Sequence, residues 1–235
     1  MIRPVIGGRY RHYKGNEYTV LAVARHSETL EETVVYRAEY GAHDVWVRPL
    51  PMFMENVTED GGERRRFACV HGTLIRPADP SETDAVEALY RRCVGLPGVT
   101  WNENYPTREM AAEDIAAGQL HVLYEGESLV GAVTLLWHDD LDELPVWNPA
   151  AVRPAVPVRL AVDPARQGQG WGRTLMEYAM RTARESGADS LRLLCACGNE
   201  AAAALYRRLG FAEKGGTEMY GHRYLCMEKL LCAEK

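Results

Sequence analysis

The chain has 235 residues, 46% hydrophobic and 26% charged, a balance that excludes a disordered polypeptide and leaves room for one large domain or two modest ones. Its net charge of -6 and pI near 5.7 speak against nucleic-acid binding, which needs clustered Lys and Arg to displace counterions from phosphates. The opening Met1-Ile-Arg-Pro has no signal-peptide core, and the longest apolar stretch, Leu129 to Trp137, is too short to cross a bilayer, so the cytosol is the expected compartment and no membrane partner is expected.

In chain order, the first elements are short β-branched and aromatic runs at Arg9 to Tyr13, Tyr18 to Arg25, Thr33 to Tyr40 and Val45 to Val47, broken by Gly, Asn and Asp. This pattern predicts a small β-barrel. The run Glu59-Asp-Gly-Gly-Glu-Arg-Arg-Arg66 has no apolar periodicity, and it is taken as the end of a first domain, residues 1–67. Acidic and basic residues balance within 1–66, so the negative excess belongs to the second domain, residues 71–235. His12, Tyr13, His26 and Trp46 would serve either as a recognition surface or as part of a small aromatic core.

Downstream, strand and helix signals alternate. Thr73-Leu-Ile-Arg-Pro reads as a strand, and Asp79-Pro-Ser-Glu82 as a helix start with a capping-box spacing. Val86, Leu89, Tyr90 and Cys93 then share one helical face. A second helix is expected from about Thr107 to Gly118. Strands at Leu120 to Tyr124 and Leu129 to Trp137, joined by Glu125-Gly-Glu-Ser, predict a hairpin and hence a mixed sheet. The six cysteines, Cys69, Cys93, Cys195, Cys197, Cys226 and Cys232, form no C-x-x-C pair, so neither a metal site nor a disulfide framework is expected. Cys195 and Cys197 share one strand face by alternation and read chiefly as small core residues.

The most informative stretch is Val158-Arg-Leu-Ala-Val-Asp-Pro-Ala-Arg-Gln-Gly-Gln-Gly-Trp-Gly172, a strand followed by a glycine-rich turn that opens a helix striped with Trp171, Leu175, Met176, Ala179 and Ala183. Glycines at 168, 170 and 172 let backbone approach a bulky anion, and the positive end of the helix dipole favours phosphate there. The spacing is neither G-x-G-x-x-G nor a Walker loop, which removes the main nucleotide-binding alternatives.

Gln167-Gly-Gln-Gly170-Trp-Gly172 resembles the Q/R-x-x-G-x-G/A signature of the GCN5-related N-acetyltransferase superfamily. Asn199-Glu-Ala-Ala-Ala-Ala-Leu-Tyr206-Arg-Arg-Leu-Gly-Phe211 is similar to its N-x-x-A-x-x-x-Y-x-x-x-G-F segment. The resemblance implies an α/β (α+β) fold with a mixed sheet and acetyl-CoA as acyl donor. Leu160 and Val162 would pair with the pantetheine arm, and Gln167, Gly168, Gln169, Gly170, Trp171 and Gly172 would hold the pyrophosphate. Asn199 would hydrogen-bond the cofactor. Tyr206 would protonate the departing thiolate, the alternative reading of its place beside Ala202, Leu205 and Leu209 being a packed core tyrosine. Residues 7–67 resemble a small uncharacterised bacterial family expected to be SH3-like, through Arg9-Tyr-Arg-His-Tyr-Lys-Gly, Val35-Tyr-Arg and Val45-Trp-Val-Arg-Pro-Leu.

The reaction so implied is N-acetylation of a primary amine on a small molecule or peptide. Several members of the superfamily use a central-strand Glu as base, whereas this strand has only Arg159. Asp139, Asp140, Asp142, Glu143 and His138 are the nearby substitutes, and a solvated acidic loop is the plainer reading of them. Trp101-Asn-Glu-Asn-Tyr-Pro106 is either an acceptor lip or an aromatic-anchored loop. The rival functions are a catalytically inactive acyl-CoA-binding module and an adaptor acting through the N-terminal domain. The oligomeric state is left open, a homodimer included.

Overall fold

The computed structural model describes residues 3–59, 62–137 and 139–231; His138 and Cys232 lie outside the described residues. The chain divides into two compact units, 1–74 with 124–128, and 75–123 with 129–235.

The first unit holds β1 (Arg9–His12), β2 (Glu17–Arg25), β3 (Glu32–Ala38), β4 (Val45–Pro49), the short helix α1 (Leu50–Met54), β5 (Asn56–Glu59), β6 (Gly62–Arg65) and β7 (Phe67–His71). Five of these strands form a sheet in the order β4-β3-β2-β1-β7, antiparallel at each joint, with no pairing between the outer strands among the described residues. The sheet is therefore open, not a hydrogen-bonded barrel. Its core is aromatic: Phe53 stacks on Phe67 at 4.2 Å, and Tyr10 and Tyr36 meet Phe53 at 5.3 and 5.5 Å. His12 and Tyr13 are half-buried at its margin, while Trp46 and His26 are exposed.

The charge run that shows no apolar periodicity lies in paired structure on both sides of residues 60–61. β5 and β6 form a two-stranded ladder, and Arg66 bonds Glu55 while the Arg65 guanidinium donates to the Met54 carbonyl at 2.7 Å. A pattern-based reading misses it because its strands are stabilised by cross-strand and charge contacts, not by an apolar face.

The second unit is built on the seven-stranded sheet β13-β14-β12-β11-β10-β9-β8, comprising β8 (Thr73–Pro77), β9 (Leu120–Glu125), β10 (Ser128–Leu136), β11 (Pro154–Val162), β12 (Ser190–Ala196), β13 (Ala212–Met219) and β14 (His222–Leu230). β11 and β12 run parallel, and each has an antiparallel neighbour on its other side, so the sheet is mixed as expected. Helices α2 (Thr83–Cys93), α3 (Arg108–Ala116), α4 (Trp171–Glu185) and α5 (Glu200–Arg208) pack on it. The Asp79–Glu82 capping box is present at a short 3-10 turn leading into α2, and the Thr107 hydroxyl caps α3 by accepting from the Met110 amide at 3.2 Å. Leu175, Met176, Ala179 and Ala183 bury the α4 stripe. Each large side chain so buried contributes about 1.5–3 kcal/mol.

A buried charge network ties the loop after β10 to the sheet. Glu228 on β14, 2% exposed, accepts from Arg192 on β12 at 3.1 Å and from the Asn148 amide at 3.0 Å, while Arg192 also reaches Asp142 and the Ala151 carbonyl. No described helix is long and apolar enough to cross a membrane.

Candidate active site

The central strands part company halfway along. β11 and β12 pair only at Pro154 with Ser190 and Ala155 with Leu191, although β11 runs on to Val162 and β12 to Ala196. The parting coincides with a bulge on the opposite edge of β11. Ala132 faces Ala161 and Thr134 faces Val158, so Arg159 and Leu160 together oppose Val133. A bulge bends its strand and increases local twist, which here opens a cleft with half-buried Val158, Leu160 and Val162 on one side.

The glycine-rich turn sits at the end of that strand. The Val162 carbonyl accepts from Gln167 Nε2 at 3.3 Å and from the Cys93 thiol at 3.6 Å, and Arg92 pairs with Asp163 at 2.9 Å, so the turn and α2 are both tied to the strand end. Gly168 and Gly170 adopt φ of +76° and +89°, and a Cβ on either would meet no atom within 4 Å. Gly170 is the N-cap of α4 with no side-chain cap. Among the described residues, the backbone N–H groups of 168–173 find no acceptor. Six unpaired amides at the positive end of a 15-residue helix, with open space at Gly168 and Gly170, suit a phosphate-type anion. Gln169 Oε1 steadies the turn by accepting from Arg166 and Trp171.

Asn199, half-buried, caps α5 by accepting from the Ala202 amide at 3.1 Å, and its Nδ2 donates to nothing among the described residues. The loop between α2 and α3 rests on it: a Cβ at Gly98 would lie 2.6 Å from the Asn199 Cα. Tyr206 lies in the core of the second unit, 8% exposed, against Phe211 and close to Cys195. Burial pushes its phenol well above the ordinary range, and the Cys195 thiol up to about 11. Both groups stay protonated at neutral pH. Cys195 and Cys197 differ in setting: the first is buried in β12, and the second, beyond the strand end, is exposed and lines a cavity of about 260 Å³ with Thr217, Glu218, Arg223 and Tyr224. The sequence pattern places them on one face only if the strand continues, and it ends at Ala196.

A second cluster gathers residues from three loops. The Tyr224 hydroxyl bonds Thr100 at 3.3 Å, Tyr105 lies within electrostatic reach of Arg159, and Tyr220 at the β13–β14 turn is within electrostatic reach of Asp139, Asp140 and Tyr105. Burial raises the Asp139 carboxyl above its usual range, with Asp140 and Asp142 adding to the shift. Its Oδ1 accepts from the Leu141 amide at 3.1 Å. The residue missed from sequence is Asp114. It is buried on α3 and receives Arg159 Nε at 2.9 Å, Arg159 Nη2 at 2.8 Å and the Thr134 hydroxyl at 2.8 Å. Nothing in the sequence marks it, because its partner stands 45 positions away. No group of three or more potential metal ligands occurs among the described residues.

Comparison with known proteins gives two family matches and several structural relatives. Residues 8–69 match a family described as a protein of unknown function, DUF1653. A segment of 61 residues is 38% identical to the mycothiol acetyltransferase of Catenulispora acidiphila, covering 26% of this chain and 19% of that protein, so the chain matches only a fifth of this relative's length. A GNAT-family acetyltransferase from Streptococcus agalactiae superposes with a TM-score of 0.59 at 22% identity, covering 69% of this chain and 97% of its own. A putative acetyltransferase from Salmonella typhimurium, yncA, solved with its cofactor acetyl-CoA, superposes with a TM-score of 0.56 at 20% identity over 70% of this chain and 96% of its own. The acetyltransferase (GNAT) family model matches residues 84–211, more than half of the chain and inclusive of the parted strands, the glycine-rich turn and the Asn199 helix, and the chain belongs to that family.

Proposed function

We propose that the chain transfers an acetyl group from acetyl-CoA to a primary amine of a small molecule or peptide, with residues 71–235 as the transferase domain and residues 1–67 as an accessory domain. The observation that carries this reading is the cleft between β11 and β12 placed directly beside the six unpaired amides of 168–173. A pantetheine arm needs an unpaired strand edge and a pyrophosphate needs outward N–H groups, and the two stand side by side here. The acetyl-CoA found in the Salmonella structure supports the same donor.

In this reading acetyl-CoA supplies the acetyl group as a thioester. Leu160 and Val162 line the arm, the Gln167–Gly172 turn binds the pyrophosphate, and the free Nδ2 of Asn199 donates to the bound donor. The neutral amine nitrogen forms the new C–N bond as the C–S bond breaks and gives its surplus proton to solvent water, while Tyr206, kept protonated by its burial, donates a proton to the departing sulfur and is reprotonated from solvent. Thiols are acidic enough that this assistance is modest, so Tyr206→Phe should lower kcat by about tenfold or less and leave acetyl-CoA affinity intact.

The test is thiol release from acetyl-CoA by the full chain over a panel of primary amines, with calorimetric acetyl-CoA binding measured alongside. Binding with turnover on at least one amine supports the proposal, and a folded protein that fails to bind acetyl-CoA refutes it. A binding module without turnover is favoured by one observation, the Arg159–Asp114 pair on a central strand that carries no acid of its own. Tight binding with no turnover over the whole panel would select that reading.

A further inference from the structure

The acetyl-transfer chemistry above makes no use of Arg159, yet the fold holds that side chain in a costly way. Its φ of +50° is a left-handed conformation within the β11 bulge, and for a residue with a long side chain such a conformation persists only where the surroundings impose it. The surroundings do so through Asp114, whose two oxygens take Nε and Nη2 of the guanidinium at 2.9 and 2.8 Å. The two side chains are only 11% and 9% exposed. Asp114 is itself oriented by Thr134, and Tyr90 is buried beside the pair.

The guanidinium is thus gripped along one edge. Nη1 takes no part in that grip, and Tyr105, from the loop between α2 and α3, lies within electrostatic reach of the guanidinium. An arginine oriented from behind by a carboxylate, with a phenol in its neighbourhood, can serve as a receptor for a planar anion. Asp139, half-buried and within electrostatic reach of the same guanidinium, supplies the opposite charge, and Tyr220, 69% exposed, is within electrostatic reach of Asp139. An amine and a carboxylate on one small acceptor would complement these two loci at once.

We infer that the acceptor is an amine bearing a carboxylate close to its nitrogen, a free amino acid in class, with the carboxylate held by Arg159 and Tyr105 and the ammonium drawn toward Asp139. This rests on the acetyl-transfer reading of the same cleft. The guanidinium is already neutralised by Asp114, so recognition comes from charge-assisted hydrogen bonds at close range and not from long-range attraction. A carboxamide in place of the carboxylate loses those bonds, a penalty of about 10- to 100-fold in kcat/KM.

The experiment measures thiol release from acetyl-CoA with free L-leucine, L-phenylalanine and L-glutamine, their carboxamides and their decarboxylated amines. Acetyl-CoA affinity is followed by calorimetry on every protein used. At least one free amino acid is expected to exceed its carboxamide by about 10- to 100-fold, and Tyr105→Phe and Arg159→Lys are expected to bring that ratio toward one, mainly through KM for the acid, at unchanged acetyl-CoA affinity. Tyr105→Phe keeps the ion pair and so keeps the fold. Carboxamides or decarboxylated amines that equal or exceed the acids, or acetyl-CoA binding with no amino acid turned over, would overturn the inference and leave the transfer reading standing. Absence of acetyl-CoA binding would sink the transfer reading itself, and this inference with it.

Discussion

Gly170 offers the cleanest separation of shape from charge at the anion cradle. It caps α4 at φ +89° and ψ -2°, and an added Cβ would touch nothing. Gly170→Ala therefore costs only the left-handed backbone penalty, about 1–2 kcal/mol, seen as a fall in Tm of roughly 2–8 °C for a domain of this size. Gly170→Glu pays the same penalty and recovers about 0.3–1 kcal/mol because its carboxylate sits at a helix N-terminus, so it should melt no lower than the alanine variant. Its effect on binding is different. A carboxylate about 5 Å from a phosphate charge costs about 1–3 kcal/mol at effective dielectrics between 80 and 20, which weakens CoA by about 5- to 150-fold. Calorimetric titration of CoA into the three proteins reads this directly. Repeating it at about 1 M salt, where the Debye length is roughly 3 Å, should shrink the gap between Glu and Ala. Equal affinity of the Glu and Ala variants at low salt would refute the placement of the pyrophosphate on this turn.

Gly98→Ala would press a Cβ to 2.6 Å from the Asn199 Cα at a φ of +76°, and with rigid backbone on both sides it should destabilise by about 2–4 kcal/mol; unchanged thermal melting would show that the α2–α3 loop does not rest on the α5 cap. Asp114→Ala leaves the Arg159 guanidinium buried without its partner and should cost about 3–5 kcal/mol. The double variant Asp114→Ala/Arg159→Met should be less damaged than Asp114→Ala alone, and additive losses in denaturant unfolding would show the two side chains to be uncoupled. Burial lowers the pKa of His121 below its usual value, so the folded state holds it neutral while the unfolded chain takes up a proton near pH 6.5. Its contribution to stability is present above about pH 6.5 and is lost as pH falls toward the depressed folded value. His121→Phe should flatten that part of the stability–pH slope, leaving the share from His12, whose pKa is also lowered; an unaltered slope would count against it.

The parts legible in sequence are those whose physics is local. The Asp79 capping box, the Thr107 cap, the α4 stripe and the glycine turn each depend on neighbours within a few residues, and each stands where the pattern places it. The second unit's sheet is legible for the same reason, since alternating strands and amphipathic helices permit few layer arrangements. What escaped depends on distant partners. β5 and β6 have no apolar face to announce them, Glu228 reads as one more charged strand residue until Arg192 is set across from it, and Asp114 reads as a solvent-facing helix position until the bulge turns Arg159 toward it. Even Tyr206, on the inner face of its helix as the pattern places it, has an environment only the fold supplies: burial beside a thiol.

The bulge links these two kinds of information. Bulging β11 against β10 needs two residues opposite Val133, and the same distortion bends β11 away from β12 and gives Arg159 its left-handed backbone. On the proposed reading, the cleft that takes the donor and the guanidinium that takes the acceptor are products of one local irregularity, not two independent inventions. A strand straightened by deleting Leu160 would restore the alternation and rejoin β11 to β12, and by this argument it would close the donor cleft and release Arg159 from Asp114 in a single step. Loss of CoA affinity in a variant that still folds, with the Arg159–Asp114 coupling gone from a double-mutant cycle, is the expected outcome. Retention of either one without the other would show that cleft and guanidinium are set separately.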